Sequence, residues 1–561
     1  MNALEAASLV MIPSGYEDGT LGSLKPLDGT GDFTFSRGSN ISATRVNADG
    51  NIEKGYENLL LQSNSFTTTW LQTDLTATSG QSGYDGSNDA WLLSKSAANG
   101  RIRQYVTDTG IQTLSAYFKA GTNNWMRITY GGATTYFDLA NGVLGSDNSI
   151  DATITSIGSG WYRCTFTANV TSAQYAQFYV ADANGDTSGT TGSILIQDAM
   201  LNQGMVAYPY VETTTAPVAG GILEDMPRLD YSNGSCPSLL LEPSRTNLIP
   251  NSEYFMALSW ASKTGFTTEE NTKETLSPEG YYNATKFIAT TTDPVIFDFV
   301  NVDVLPYTFT FYAKGKGSTI GKQIKTRFLY LASATGQNQE DIFTLTSDWQ
   351  RFEAKTTPTG AGDLLVRIDF PAETAVVGDE GYLYGAQFEQ GSYPSSYIPT
   401  YGVSQTRLAD VLFEGAAGLS NFFNPTEGTL FFEVDEPLFR QLTTDGRSIA
   451  MRDTTNGEYF QLRGRSNSVY FLLTMCSPSV VVTTNFQNNT KYVMRWNGSE
   501  VKIFANGEAR GSATQIDSFR PNTLGVASGF GMYTPTGEKF TNITCFPTAL
   551  SDEACIELTT I

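Results

Sequence analysis

Apolar residues along this chain almost nowhere recur at helical spacing. They gather instead in short stretches rich in β-branched and aromatic residues, such as Ile102–Val106, Thr308–Tyr312, Tyr382–Phe388 and Val493–Phe504. Asn-Gly, Asp-Gly and Gly-Ser clusters separate them, which is hairpin and loop punctuation. Strands at this spacing, with no helices between them, predict antiparallel β-sandwiches. Phe33 to Ile52 reads as strand, turn and strand, and Pro227 to Glu242 as a hairpin. One short helix is expected near the end, N-capped near Ser551.

The chain also repeats itself. Asn58-Leu-Leu-Leu-Gln-Ser-Asn-Ser-Phe66 with Trp70 recurs as Asn247-Leu-Ile-Pro-Asn-Ser-Glu-Tyr-Phe255 with Trp260. Thr113–Lys119 matches Thr308–Lys314, Arg127–Tyr130 matches Arg327–Tyr330, and Trp161–Arg163 matches Trp349–Arg351. Ala199–Gly204 matches Ala386–Gly391, and Tyr210-Val211 falls on Tyr397-Ile398. These matches keep their order at offsets between 187 and 200 residues, so two copies of one sandwich are expected. The boundaries implied are an N-terminal segment 1–56, a first jelly roll 57–215, a linker and hairpin 216–239, a second jelly roll 240–407 and a third all-β unit 408–561. Thr213–Gly221, with Pro217 and Gly220-Gly221, is the expected linker.

Composition then narrows the chemistry. The 561 residues contain no histidine, which removes His-based acid–base catalysis, Ser-His-Asp and Cys-His nucleophiles and the commonest metal ligand. A formal charge of −22 repels phosphate backbones, so no nucleic-acid partner is expected. The five cysteines form no CxxC and read as small buried apolar residues. No window approaches the ~18 consecutive apolar residues of a membrane span, and the N-terminus lacks the basic start of a secretion signal. No membrane insertion is expected.

The repeated Asn-Leu…Phe…Trp opening, with its Tyr-x-Lys and Trp-x-Arg strands and the run Gly385-Ala-Gln-Phe-Glu-Gln-Gly-Ser-Tyr393, resembles jelly-roll carbohydrate-binding modules. In particular it looks like those of tailed-bacteriophage fibre and spike proteins. Ser36–Ile52, Pro227–Leu248 and the opening Ala7–Tyr16 resemble segments that accompany such modules in phage virion proteins. The last unit is similar to laminin-G/concanavalin-like domains, on Trp496-Asn-Gly…Phe504-Ala-Asn-Gly507 and Cys545–Ala554. The resemblance implies a trimeric head- or tail-attached virion fibre, assembled in the host cytoplasm. Segment 1–56 would dock to other virion proteins and the modules would adhere to cell-surface or mucosal glycans. Fold alone does not fix function. A capsid decoration or tail scaffold without sugar binding, and a carboxylate-pair depolymerase, stay open beside the non-enzymatic adhesion reading.

Candidate sites follow. Sugars stack on exposed aromatics flanked by polar groups. Trp70/Trp260 and Trp161/Trp349 occupy matching places in both copies and read as core. Trp91 aligns with Thr285 and Trp125 with Lys325, so the fold does not need them. Trp125, with Arg127, Tyr130, Tyr136 and Trp91, is therefore the candidate glycan platform, against the alternative of an edge-closing or subunit-contact aromatic. Asp182-Ala-Asn184-Gly-Asp186 alternates oxygen ligands as a calcium loop does, though Asn-Gly is also hairpin chemistry.

Overall fold

A computed structural model of the chain describes residues 3–39, 42–330, 338–371, 375–414, 422–424, 426–434, 446–452, 459–465, 468–473, 480–484, 491–514, 523–526 and 538–560. These residues are nearly all β, in antiparallel sheets whose inner faces meet as three sandwiches. In the first, a six-stranded front sheet runs Val143–Asp147, Ala133–Asp138, Trp125–Tyr130, Gln174–Ala181, Arg101–Val106, Leu71–Thr73. Its six-stranded back sheet runs Asp151–Gly158, Trp161–Val170, Gly110–Ala120, Gly192–Gln203, Ala90–Lys95, Leu75–Gln81. Alternation explains the layering: Met126, Ile128 and Tyr130 are buried while Trp125, Arg127 and Thr129 between them are half-exposed. The inward residues join Leu114, Phe118, Phe166 and Ile196 of the back sheet in one core. Each such apolar side chain contributes roughly 1.5–3 kcal/mol.

The second sandwich repeats this order with five strands per sheet: Asn338–Thr344, Gln323–Tyr330, Gly362–Asp369, Val295–Val302, Ser262–Thr264 in front, and Gln350–Thr356, Tyr307–Lys316, Glu380–Gln390, Thr285–Ala289, Phe266–Glu269 behind. The strands Val143–Asp147 and Asp151–Gly158, one on the edge of each sheet, are what the first copy adds. Details recur too. The back sheets break register at the same place, between Ser115 and Tyr117 and between Thr310 and Tyr312. Opposite each break the backbone turns left-handed, at Asp198 (φ 55°) and Gly385 (φ 61°). Trp70 and Trp260 are buried, each indole donating to a carbonyl of its own opening loop, that of Gln62 (3.1 Å) and of Asn251 (3.0 Å). Trp161 is equally buried, whereas Trp349 is half-buried under Lys314.

The third sandwich is assembled from both ends of the chain. Leu9–Met11 pairs with Glu538–Phe546, and the hairpin Arg228–Asp230/Ser238–Leu241 joins that same strand. Phe33–Ser36 pairs with Val411–Glu414. Leu9, Phe33, Phe35, Leu229 and Leu241 share a core with Leu430, Phe432, Trp496 and Ile543. Residues 1–56 and 216–239 thus do not stand apart as a docking segment and a linker. Their apolar strands share one core with the strands of the C-terminal unit. Val218–Gly221 of the expected linker is itself a strand on Gly55–Asn58, where a Cβ at Gly221 (φ +68°) would lie 2.2 Å from the Lys54 carbonyl oxygen. The Trp496 hairpin, strands Lys491–Trp496 and Glu500–Ala505, and the helix Asp552–Thr559 form as expected, with Ser551 Oγ accepting the Ala554 N–H at 3.2 Å. Cys164, Cys545 and Cys555 are buried but Cys236 is exposed in its hairpin loop, and Cys476 lies outside the described residues.

Two buried ionic clusters join these parts. Lys54 Nζ donates to Glu253 Oε1 (2.5 Å) and lies 2.7 Å from Glu279 Oε2, among the rings of Tyr384, Tyr397 and Tyr401. Tyr208, from the closing run of the first sandwich, donates to Glu279 (2.6 Å). Burial pulls the Lys54 ammonium down, but the two carboxylates more than reverse this and hold it charged. In the other cluster, Arg228 and Arg407 meet Glu242 at 2.8 and 3.1 Å, Arg37 meets Asp410 at 3.3 Å, and Arg228 also bonds Asp410. Burial disfavours the Glu242 charge, and Arg407 and Arg228 outweigh it, holding that carboxyl well below its ordinary range.

Candidate functional site

The outer face of the first front sheet is a ladder of arginine and tyrosine. Register sets the rows: Arg127 opposes Tyr136 on one side and Tyr179 on the other, Tyr179 opposes Arg101, Arg103 opposes Gln177, and Tyr105 opposes Tyr175. Side chains two apart on a strand share a face, so these groups stand together. The Arg127 guanidinium carbon lies 3.5 Å from the Tyr179 ring centroid, and that of Arg101 lies 5.4 Å from the same ring. Arg103 lies 4.4 Å over Tyr175, whose ring meets Tyr105 edge to face at 5.2 Å. Cation–π stacking of this kind holds a guanidinium plane in place while its edge donors stay available. Arg127 Nη1 also donates to the Tyr136 hydroxyl (3.4 Å), and Tyr179 donates to Gln177 (3.0 Å). The far end of the face is open, with Tyr105 55% and Leu71 50% exposed.

Trp125 stands at the other end of this face, half-exposed, against the added edge strand. A Cβ at Gly145 would lie 2.7 Å from Trp125 Cζ3, so only glycine lets the indole lie flush on that strand. The structure brings only part of the sequence-predicted platform together. Trp125, Arg127 and Tyr136 share the face. Tyr130 does not: it is fully buried in the core and donates to Gln112 Oε1 (2.5 Å), because it falls on the inward parity of its strand. Trp91 does not either. It lies opposite Ile196 in the back sheet, half-buried on Phe66, with its Nε1 donating to the Asn64 carbonyl at 3.0 Å. Arg101, Arg103, Tyr105, Tyr175 and Tyr179 were missed. The alternation Arg101-Ile-Arg103-Gln-Tyr105 was the available signal, since it marks three polar or aromatic residues for one face.

The expected calcium loop is a turn whose oxygens are already used. Lys95 Nζ lies 2.6 Å from both Asp182 carboxylate oxygens, filling the place of a cation, and the Gly189 N–H donates to Oδ2 (2.7 Å). Asn184 Oδ1 accepts the Ser146 N–H (2.7 Å) and Asp186 caps Ser188 N (2.8 Å). Among the described residues no group of three or more acidic or thiol side chains is set to hold a metal.

The second sandwich acts as an internal comparison. By strand register, Glu340 stands where Tyr136 does, Asp369 where Ala181 does, Arg367 where Tyr179 does, and Phe297 and Phe299 where Arg101 and Arg103 do. Its retained arginine, Arg327, is neutralised by Glu340 (3.1 Å) and Asp369 (2.9 Å), and Arg367 by Asp369 and by Asp293 (3.5 Å). The same backbone thus carries a closed ion-pair network in one copy and an open arginine–aromatic face in the other.

No protein-family model and no curated protein matches this chain. Among solved structures it is similar to the N-terminal CBM22-1–CBM22-2 tandem of Xyn10C from Paenibacillus barcinonensis, at 10% identity and a TM-score of 0.20 over 64% of this chain and 100% of that one. A cycloalternan-forming enzyme from Listeria monocytogenes in complex with a pentasaccharide substrate matches 57% of this chain and 22% of its own, at 9% identity and a TM-score of 0.17. The M60 catalytic domain with the CBM51-1 and CBM51-2 domains of ZmpB from Clostridium perfringens matches 62% of this chain and 43% of its own, at 11% identity and a TM-score of 0.16. Likeness at these scores carries no argument about a ligand, so the chemistry of this chain is read from its own side chains.

Proposed function

We propose that this chain is a non-catalytic glycan-binding protein whose first sandwich holds carbohydrate on the outer face of its front sheet. One observation carries the reading: Trp125, Arg127, Arg103, Tyr175 and Tyr105 lie on one accessible face, and the duplicated sandwich keeps only Arg127 of that set, as Arg327. Pyranose rings stack on such aromatics and their hydroxyls accept from guanidinium edges. Glu253 and Glu279, brought together at Lys54, and Glu242 and Asp410, brought together at Arg228, are buried and ion-paired, so neither of these two pairs is open to a glycosidic bond. The proposed setting is the one the sequence resemblance implies, a fibre or spike of a tailed-phage virion. There many weak faces on one particle would gain ~10²–10⁴ in avidity.

The test is a glycan array probed with the full chain and with a Trp125→Ala/Tyr105→Ala variant of matched thermal stability. Binding by the wild type that the variant loses is the expected result. A wild-type chain silent on every glycan would overturn the reading in favour of a structural decoration or scaffold.

A further inference from the structure

We propose that the ligand of this face is an anionic glycan, a chain bearing carboxylate or sulfate groups that are held by Arg101, Arg103 and Arg127. The inference rests on the glycan-binding reading above and names its ligand class. Acidic residues outnumber basic ones 57 to 35, so a basic side chain here has acids in excess to pair with. In the second sandwich the front-face arginines do so, as shown by Arg327 with Glu340 and Asp369. Among the described residues no ion pair involves Arg101, Arg103 or Arg127, in contrast to Arg327 and Arg367 at the matching face of the second sandwich. Three guanidinium groups on one face repel one another, and an anion seated among them relieves that repulsion.

Their setting suits an oxyanion better than a neutral sugar. Each guanidinium is braced by a ring, Arg101 and Arg127 by Tyr179 and Arg103 by Tyr175. A braced guanidinium presents a planar fork that matches a carboxylate or sulfate bidentately. The net charge of −22 opposes approach of any polyanion, but salt screens that field beyond about 8 Å, whereas direct contact with the partly buried guanidinium groups is screened much less. Arginine and tyrosine would also receive single-stranded nucleic acid. The aromatic Trp125 and the hydroxyl partners Gln177 and Thr129 on the same face favour a sugar chain.

The test titrates the full chain with polygalacturonate and its carboxyl-reduced form, with dextran sulfate and dextran, and with oligo-dT. Expected is binding to a charged polymer at least about tenfold tighter than to its neutral counterpart, weakening as salt rises. The polymer that binds distinguishes carboxylate from sulfate. R101Q/R103Q/R127Q should abolish the preference, and R327Q should not. R103Q alone, which removes a ring contact and no ion pair, should reduce it if the triple variant does not fold. Equal binding of charged and neutral forms overturns the anionic inference and leaves glycan binding standing. Binding to no polysaccharide at all overturns both. Oligo-dT bound as tightly as the acidic polysaccharide shows a general polyanion site and overturns the inference.

Discussion

Asn58 and Asn247 make the same four hydrogen bonds in the two copies of the repeated sandwich. Asn58 Nδ2 donates to the carbonyls of Ala199 (3.2 Å) and Val211 (2.8 Å), and its Oδ1 accepts from Leu60 (3.2 Å) and Leu201 (3.1 Å). Asn247 donates to Ala386 (3.0 Å) and Ile398 (2.9 Å) and accepts from Ile249 (3.1 Å) and Phe388 (3.1 Å). Both are fully buried. The amide staples the opening of each module to its closing strand, which is why the Asn-Leu opening repeats.

Only an amide offers two donors and an acceptor in this shape. Asn247→Asp keeps the shape, loses both donors and buries a charge. It should lower stability by about 3 kcal/mol or more, read as a fall in denaturation midpoint. A midpoint unchanged from wild type would remove the staple role.

Lys54→Met should destabilise by about 3–5 kcal/mol, because it leaves Glu253 and Glu279 buried together without their cation. Adding Glu253→Gln and Glu279→Gln should recover most of that loss. Thermal melts of the single and triple variants decide it: a triple variant no better than the single one would mean that the charges are not what the cluster balances.

Asp198 is 7% exposed and accepts from the Tyr84 hydroxyl at 2.8 Å. Burial, reinforced by Asp89 and Asp85, pushes its carboxyl up to about 6 from 3.8, despite the Tyr84 bond. The folded state therefore binds more protons than the unfolded state between those two values, so this group's contribution to stability falls as pH rises through that window and stays low above it. Asp198→Asn, which suits the left-handed backbone there, should stabilise by about 2 kcal/mol above pH 6 and by little below pH 4. Melting curves across pH check this, and a gain of equal size at low pH would refute it.

Deleting residues 1–38 removes the strands Leu9–Met11 and Phe33–Ser36 and the Arg37–Asp410 pair. Limited proteolysis should then digest the C-terminal sandwich while a fragment spanning residues 57–405 survives. Persistence of a resistant C-terminal fragment would show that the third core closes without the N-terminus.

The duplicated sandwiches were legible because they rest on local signals: Asn-Leu openings, buried tryptophans in register, and alternation strong enough to place Ile102 and Ile128 inside. Parity alone could have excluded Tyr130 from the platform, since it lies an odd number of residues from Trp125 and so faces the opposite way. Trp91 could not be excluded in that way. Which sheet receives a strand depends on pairing with residues about a hundred positions away, as Trp91 does with Ile196.

The sequence by itself determined the fold class, the repeat, the Trp496 hairpin and the Ser551-capped helix, since strand alternation, turn residues and caps act over a few residues. Only the tertiary structure decided that Leu9 pairs with Cys545, that Lys95 fills the Asp182 loop, and that Arg101, Arg103 and Arg127 converge on one face. Those relations are contacts between distant strands. A chain's periodicity states which residues face inward, and leaves open which neighbours they meet there.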